Sequence, residues 1–223
     1  MAVSQVTTQL RPSQQPRLPA APVEYDRNYV DSLTSILRQY FNQVDNLTQS
    51  LLTNTGGRFF RIPSISVFDT TTQTAAAATV KLVTYNNVDF SNGITLDNTG
   101  GGATNSKFTV TYPGVYNVQF SAQGSNTATA SDNITVWFQV NGVDVANSAG
   151  ITAIPGKHGS ISGASIFSWN QFLTLTTNDY VQIYWTTDGG TSSLATYPAG
   201  VAPTHPVSPS IAVTFLFVSA PLT

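Results

Sequence analysis

Residues 107–122 read KFTVTYPGVYNVQFSA, and residues 134–149 read ITVWFQVNGVDVANSA. In the first stretch Phe108, Val110 and Tyr112 alternate with polar residues, and Tyr116, Val118 and Phe120 do so again after Pro113-Gly114. In the second, Ile134, Val136, Phe138 and Val140 form one strand face. Successive side chains of a strand point to opposite faces, so alternation of this kind predicts a sheet with one buried side. Asn141-Gly142 supplies the positive-φ residues of a tight hairpin turn into Val143 and Val145.

The same pattern extends outward. Phe172–Leu175 reads as a strand, followed by a Thr-Thr-Asn-Asp turn and then Val181, Ile183 and Trp185. Ile211 to Val218 is apolar on both faces, which places it centrally or in a subunit interface. Asn92-Gly93, Gly100-Gly101-Gly102 and Asp188-Gly189-Gly190 punctuate these runs. Many short strands separated by such turns predict a mainly β fold, an antiparallel sandwich of jelly-roll type over residues 58–223.

Composition supports this reading. Of 223 residues, 9% are charged, against roughly 25% in an average soluble protein. Polarity comes from Ser, Asn, Gln and 31 Thr, which suits half-buried strands. With 12 Phe, 9 Tyr and 3 Trp the chain has material for a real core. So weakly charged a surface is prone to association and fits a permanent assembly. A net charge of −2 argues against a nucleic-acid partner. No apolar run approaches the ~20 residues of a membrane helix, so no membrane insertion is expected. The absence of Cys excludes a disulfide framework and Cys-based metal sites. The opening residues lack the apolar core of a signal peptide, an expectation against Sec export.

The N-terminal part is built differently. Residues 1–61 hold six of the nine basic residues and four acidic ones, whereas 62–223 hold Lys81, Lys107, Lys157 and seven Asp. Residues 1–24, with Pro12, Pro16, Pro19 and Pro22, read as an extended arm, either a tail or an anchor that orders on a larger partner. Residues 25–57 read as a helical segment, with Asp26 as N-cap and Gly56-Gly57 as the stop. Val30, Leu33, Leu37, Tyr40, Val44, Leu47 and Leu51 form an unbroken heptad seam, with Ile36 and Phe41 beside it. So short a seam is marginal alone. It is either a trimeric coiled coil, a helix docked on a partner, or an amphipathic helix packed on its own domain.

A resemblance adds to these readings. TVKLVTYNNVDF (79–90), KFTVTYPGVYNVQFSA, ITVWFQVNGVDVANSA, ASIFSWNQFLTLTTNDYVQIYW (164–185) and PSIAVTFLFVSA (209–220) together resemble a C1q/TNF-like domain, most of all at Tyr112–Tyr116. The resemblance implies a jelly roll that assembles as a homotrimer around an apolar axis, with the heptad helix as its stalk. It makes Phe215 and Phe217 on the closing strand the candidate trimer core. RLPAAPVEYDRNYVDSLTSILRQYFNQVDN (17–46) is similar to the start of structural proteins of tailed phages, notably those infecting cyanobacteria. That similarity implies a virion protein assembled in the host cytoplasm, which would account together for the missing Cys and export signal.

Chemistry is sparse. His158 and His205 lie in Gly/Pro-rich loops without a second His at ligand spacing, and read as exposed loop residues. No G-x-S-x-G elbow or P-loop is present, and Glu24 is the lone Glu, so the paired carboxylates of a glycosidase would have to be two Asp. Asp97-Asn98 and Asp132-Asn133 could offer oxygens to calcium, although Asx pairs more often make plain turns. The reading is therefore no catalytic residues, no cofactor and no metal. The segment 186–210 is long and Gly/Pro-rich, and Trp185, Tyr197 and His205 mark it as a candidate recognition loop.

Two functions follow. One is a non-enzymatic virion structural protein, a homotrimeric short fibre or capsid decoration attached to other virion proteins through residues 1–57. The other is a host-attachment module whose head loops recognise a cell-surface polysaccharide or protein.

Overall fold

A β-rich chain must give every backbone N–H a partner, and alternating apolar residues must find a common interior. The computed structural model shows how this chain does both. It describes residues 16–52, 62–98 and 105–220, of which 49–52 and 98 in backbone alone. The chain divides into two compact units, Met1–Phe60 and Arg61–Thr223.

In the first unit residues 16–26 carry neither helix nor strand, and α1 spans Arg27–Leu52. Asp26 caps it: Asn28 N–H donates to Asp26 Oδ1 at 2.8 Å, and Val30 N–H donates to the Asp26 carbonyl at 3.2 Å. This places a carboxylate on the positive end of the helix. The Gly56-Gly57 stop lies outside the described residues. No helix among the described residues is long and apolar enough to cross a membrane.

Among the described residues the regular elements of the second unit are all strands. Its first elements are β1 (Ser64–Asp69), β2 (Gln73–Thr74), β3 (Lys81–Leu82), β4 (Asn87–Asn92), β5 (Ile94–Asn98) and β6 (Asn105–Val110). β7 (Gly114–Asn126), β8 (Asp132–Val140), β9 (Val143–Asp144), β10 (Gly150–Ile154) and β11 (Gly163–Leu175) follow. β12 (Tyr180–Thr187), β13 (Ser192–Leu194), β14 (Gly200–Val201), β15 (Thr204–His205) and β16 (Ile211–Ser219) complete it.

The pairing is nested. β1 lies antiparallel to β16, β6 to β12, β7 to β11 and β8 to β10. The first and third pairs fall in one sheet, through the β16–β7 contact, and the second and fourth in the other, through β12–β8. An antiparallel ribbon wrapped this way into two facing sheets is a jelly roll. We call the sheet holding β4, β1, β16, β7 and β11 the first, and that holding β5, β6, β12, β8 and β10 the second.

The core between the sheets is aromatic. Phe108 packs edge-on against Phe215, and Tyr116 against both Phe215 and Phe217. Phe120 reaches across to Phe138. The Tyr-Pro-Gly-Val-Tyr element closes on itself: the hydroxyl of buried Tyr116 donates to the Tyr112 carbonyl at 2.7 Å. Burial, helped by neighbouring Tyr112, pushes that phenol up to about 12. Gly114 sits where a Cβ would lie 2.3 Å from the Phe217 ring. The Asn141-Gly142 turn has φ of 52° and 79°, the mirror-image turn that a two-residue hairpin requires.

Candidate interaction surfaces of the head

Strand parity decides what each face offers, because a shift of one residue exchanges inside for outside. On β16, Phe215 stands opposite Val118 and is fully buried within the sandwich. Phe217 stands opposite Tyr116 and packs against the same core. Phe215 therefore fills the chain's own interior, and the reading of it as a trimer-core residue is corrected, whereas Phe217 is half-buried at the margin of that core. The outward residues of this strand are Ala212, Thr214, Leu216 and Val218, with Leu216 and Val218 41% and 50% exposed.

The outer face of the first sheet is almost free of charge. β16 contributes Ala212, Thr214, Leu216 and Val218, and β7 contributes Asn117, Gln119 and Ser121. β11 adds Ile166, Ser168, Asn170 and Phe172, and β1 adds Ser64, Ser66 and Phe68. Phe90 of β4 lies opposite Ser66 and is 52% exposed. The one carboxylate these strands place on the outer face is Asp89, at the bulge in β4, where it accepts the Ser66 hydroxyl at 3.0 Å; Asp69, at the end of β1, is buried. Ile166 and Phe172 are exposed as well.

The second sheet presents a different outer face. Asp97 lies opposite Lys107 and accepts the hydroxyls of Thr95 and Thr109 at 3.0 and 2.9 Å. Lys107 Nζ sits 4.7 Å from the centre of the Tyr180 ring. Trp137 and Tyr184, directly opposite on β8 and β12, are stacked with ring centres 5.9 Å apart. The Trp137 indole N–H donates to Asp144 Oδ1 at 2.8 Å, and so does Gln139 Nε2.

The residues assigned to the recognition loop separate in space. Trp185 has the parity of Val181 and Ile183, points inward and is fully buried, so its assignment to a recognition surface is corrected. Tyr197 is half-buried, its hydroxyl is enclosed without a hydrogen-bond partner, and its backbone bridges Ser208. His205 is exposed on the β14–β15 hairpin, with Nδ1 2.9 Å from the Pro206 carbonyl oxygen. Nor is 186–210 structureless, since β13 in its middle pairs with β7 and β2. His158 is also exposed, bridged to Ile161.

The start of that segment is pinned by a residue first considered for calcium. Asp132 is 5% exposed and accepts five hydrogen bonds. They come from Gly189 N–H at 2.7 Å, Ser192 N–H at 2.9 Å, the Thr187 hydroxyl at 2.5 Å, and the Thr191 hydroxyl and N–H at 3.1 and 3.2 Å. Burial by itself would raise its pKa; the bonds from Thr187, Gly189, Ser192 and Thr191 outweigh that and hold it at about 2. Both oxygens are spent on the protein, so Asp132 is a clamp for the loop. Among the described residues no group of three or more His, Cys, Asp or Glu is placed to hold a metal.

On α1 the seam residues Leu33, Leu37, Tyr40, Val44 and Leu47 are half-buried and Val30 is 39% exposed, while the Leu51 side chain lies outside the described residues. Phe41, beside the seam, is 58% exposed.

No protein-family model matches the chain, and no curated protein matches its sequence. Among solved structures the chain is similar to the globular domain of zebrafish complement 1qA protein, at 16% identity and TM-score 0.40, over 72% of this chain and all of that one. It is also similar to murine APRIL, at 10% identity and TM-score 0.43, over 71% of this chain and all of that one. The jelly roll is established by the strand pairing rather than by these likenesses, whose TM-scores are below 0.5.

Proposed function

We propose that the chain is a non-enzymatic structural protein of a tailed-phage virion, a homotrimeric short fibre or capsid decoration. In this reading residues 1–57 attach it to other virion proteins and the jelly-roll head projects. The observation that carries the self-association is the outer face of the first sheet. Five strands wide, it exposes Phe90, Ile166, Phe172, Leu216 and Val218 and holds one carboxylate at its edge. Exposed apolar residues gathered on a single face with so little charge to repel a second copy are characteristic of an interface. A period-3.5 seam on α1, with Val30 and Phe41 open to solvent, offers a second surface of the same kind.

The virion assignment is supported by the similarity of residues 17–46 to tailed-phage structural proteins. Purified particles from the genome that encodes this chain provide the test. Peptides of the chain should be present at a copy number divisible by three, and deleting residues 1–57 should leave the head in the soluble fraction. Recovery of the intact chain only from the soluble fraction would contradict the assignment.

A further inference from the structure

The outer face of the second sheet holds a strip of side chains that the proposed assembly does not use. It runs Lys107, Tyr180, Tyr184, Trp137, Asp144, across β6, β12, β8 and β9. It covers three strand-to-strand steps, roughly 14 Å, and between Tyr180 and Tyr184 it runs four residues along β12, roughly 13 Å. The links along it are specific. The Lys107 ammonium caps the Tyr180 ring, Tyr184 stacks on Trp137, and Trp137 is hydrogen-bonded to Asp144. Burial, then the nearby Tyr180 phenol and the Asp144 carboxylate, push the Tyr184 phenol up, which places all three in one electrostatic neighbourhood.

We propose that this strip binds a neutral oligosaccharide. Trp137 and Tyr184 are half-buried, so part of each ring remains open to water. An aromatic face held on a rigid sheet suits the C–H face of a sugar ring, as an apolar body with polar groups at its edge. The indole is already fixed, since Asp144 Oδ1 takes its N–H, so little freedom remains to be lost on binding. Gln139 donates to that same oxygen, which leaves Asp144 Oδ2, on an exposed side chain, to accept a ligand hydroxyl. At the other end Lys107 and the Tyr180 hydroxyl offer donors.

A cross-strand aromatic pair also stabilises a sheet without any ligand. That role alone requires neither an exposed carboxylate locking the indole nor a cation at the far end of the row. A second copy of the chain is the less suitable occupant, because the nearly charge-free face lies on the other sheet and this one carries Lys107, Asp97 and Asp144. An anionic polymer would meet the Asp144 carboxylate on the strip itself. The proposal is independent of the virion assignment and would survive its failure.

The test is a titration of the full chain with maltohexaose, cellohexaose and chitohexaose, read by tryptophan emission and by saturation-transfer NMR, with polygalacturonate as the acidic comparison. At least one neutral hexaose should bind with a dissociation constant below about 10 mM, and polygalacturonate should not. Trp137→Ala should abolish binding, and Asp144→Asn should weaken it roughly tenfold. Trp169→Ala, which alters an exposed indole elsewhere, should leave it unchanged. Should Trp137→Ala fail to fold, the exposed Asp144→Ala carries the same expectation of lost binding. Flat titrations with all three hexaoses, as expected if the strip takes a protein instead, or binding that survives both substitutions, overturn the proposal.

Discussion

Asp132 Oδ1 accepts the backbone N–H of Gly189 at 2.7 Å, joining the start of β8 to a turn 57 residues further along the chain. Oδ2 of the same carboxylate holds Thr187, Thr191 and Ser192. One buried side chain thus fixes where β12 ends and β13 begins. Asp132→Ala leaves three backbone N–H groups and two hydroxyls without their acceptor. The expected cost is about 3 kcal/mol, read as a lower urea midpoint.

The same carboxylate makes stability depend on acid. Its folded pKa, about 2, lies below the ordinary 3.8, so its contribution is complete above about 4 and is lost as pH falls toward 2. The shift corresponds to about 2 kcal/mol. Urea midpoints taken across that window should fall for the native protein and fall less for Asp132→Asn. Parallel curves for the two would show that the clamp does not titrate as described.

The tyrosine closure at 112–116 should also be measurable. Tyr116→Phe removes one buried hydrogen bond, at a cost of about 1 kcal/mol. Gly114→Ala should cost more, about 2 kcal/mol or above, because the added methyl meets the Phe217 ring and the Ser219 carbonyl oxygen, at 2.3 and 2.8 Å. Thermal unfolding of the two variants should rank them in that order.

At the helix, Asp26→Ala removes the acceptor for Asn28 N–H, and about 1 kcal/mol of helix stability should go with it. Amide exchange at Asn28–Val30 should accelerate while exchange in β7 and β16 stays as it was. Unchanged protection at Asn28 would show that Asp26 does not cap.

Much of this architecture is legible in the sequence because it rests on local rules. Asp26 before a heptad seam marks a helix start, and Asn141-Gly142 between two alternating runs marks a hairpin. Sites were harder to place, for reasons of parity and distance. Trp185 follows Val181 and Ile183 at steps of two, and that spacing alone assigns it to the buried face. Phe215 and Phe217 share the parity of Val213, whereas the outward residues Leu216 and Val218 are a single step away. A strand apolar on both faces does not say which face is the chain's own core, so only the register could settle it. The clamp at Asp132 was beyond reach, since its partners are more than 50 residues away. The pairing of Trp137 with Tyr184 likewise depends on β8 and β12 being neighbours.

Self-association is the central claim, and the most direct measurement is the solution mass of the full chain by light scattering, beside Leu216→Asp. The account predicts three times 23.8 kDa for the native chain. It predicts dissociation toward 23.8 kDa when a carboxylate is set into the middle of the nearly charge-free face. A native chain that stays at 23.8 kDa at every concentration, or a trimer indifferent to Leu216→Asp, would contradict it.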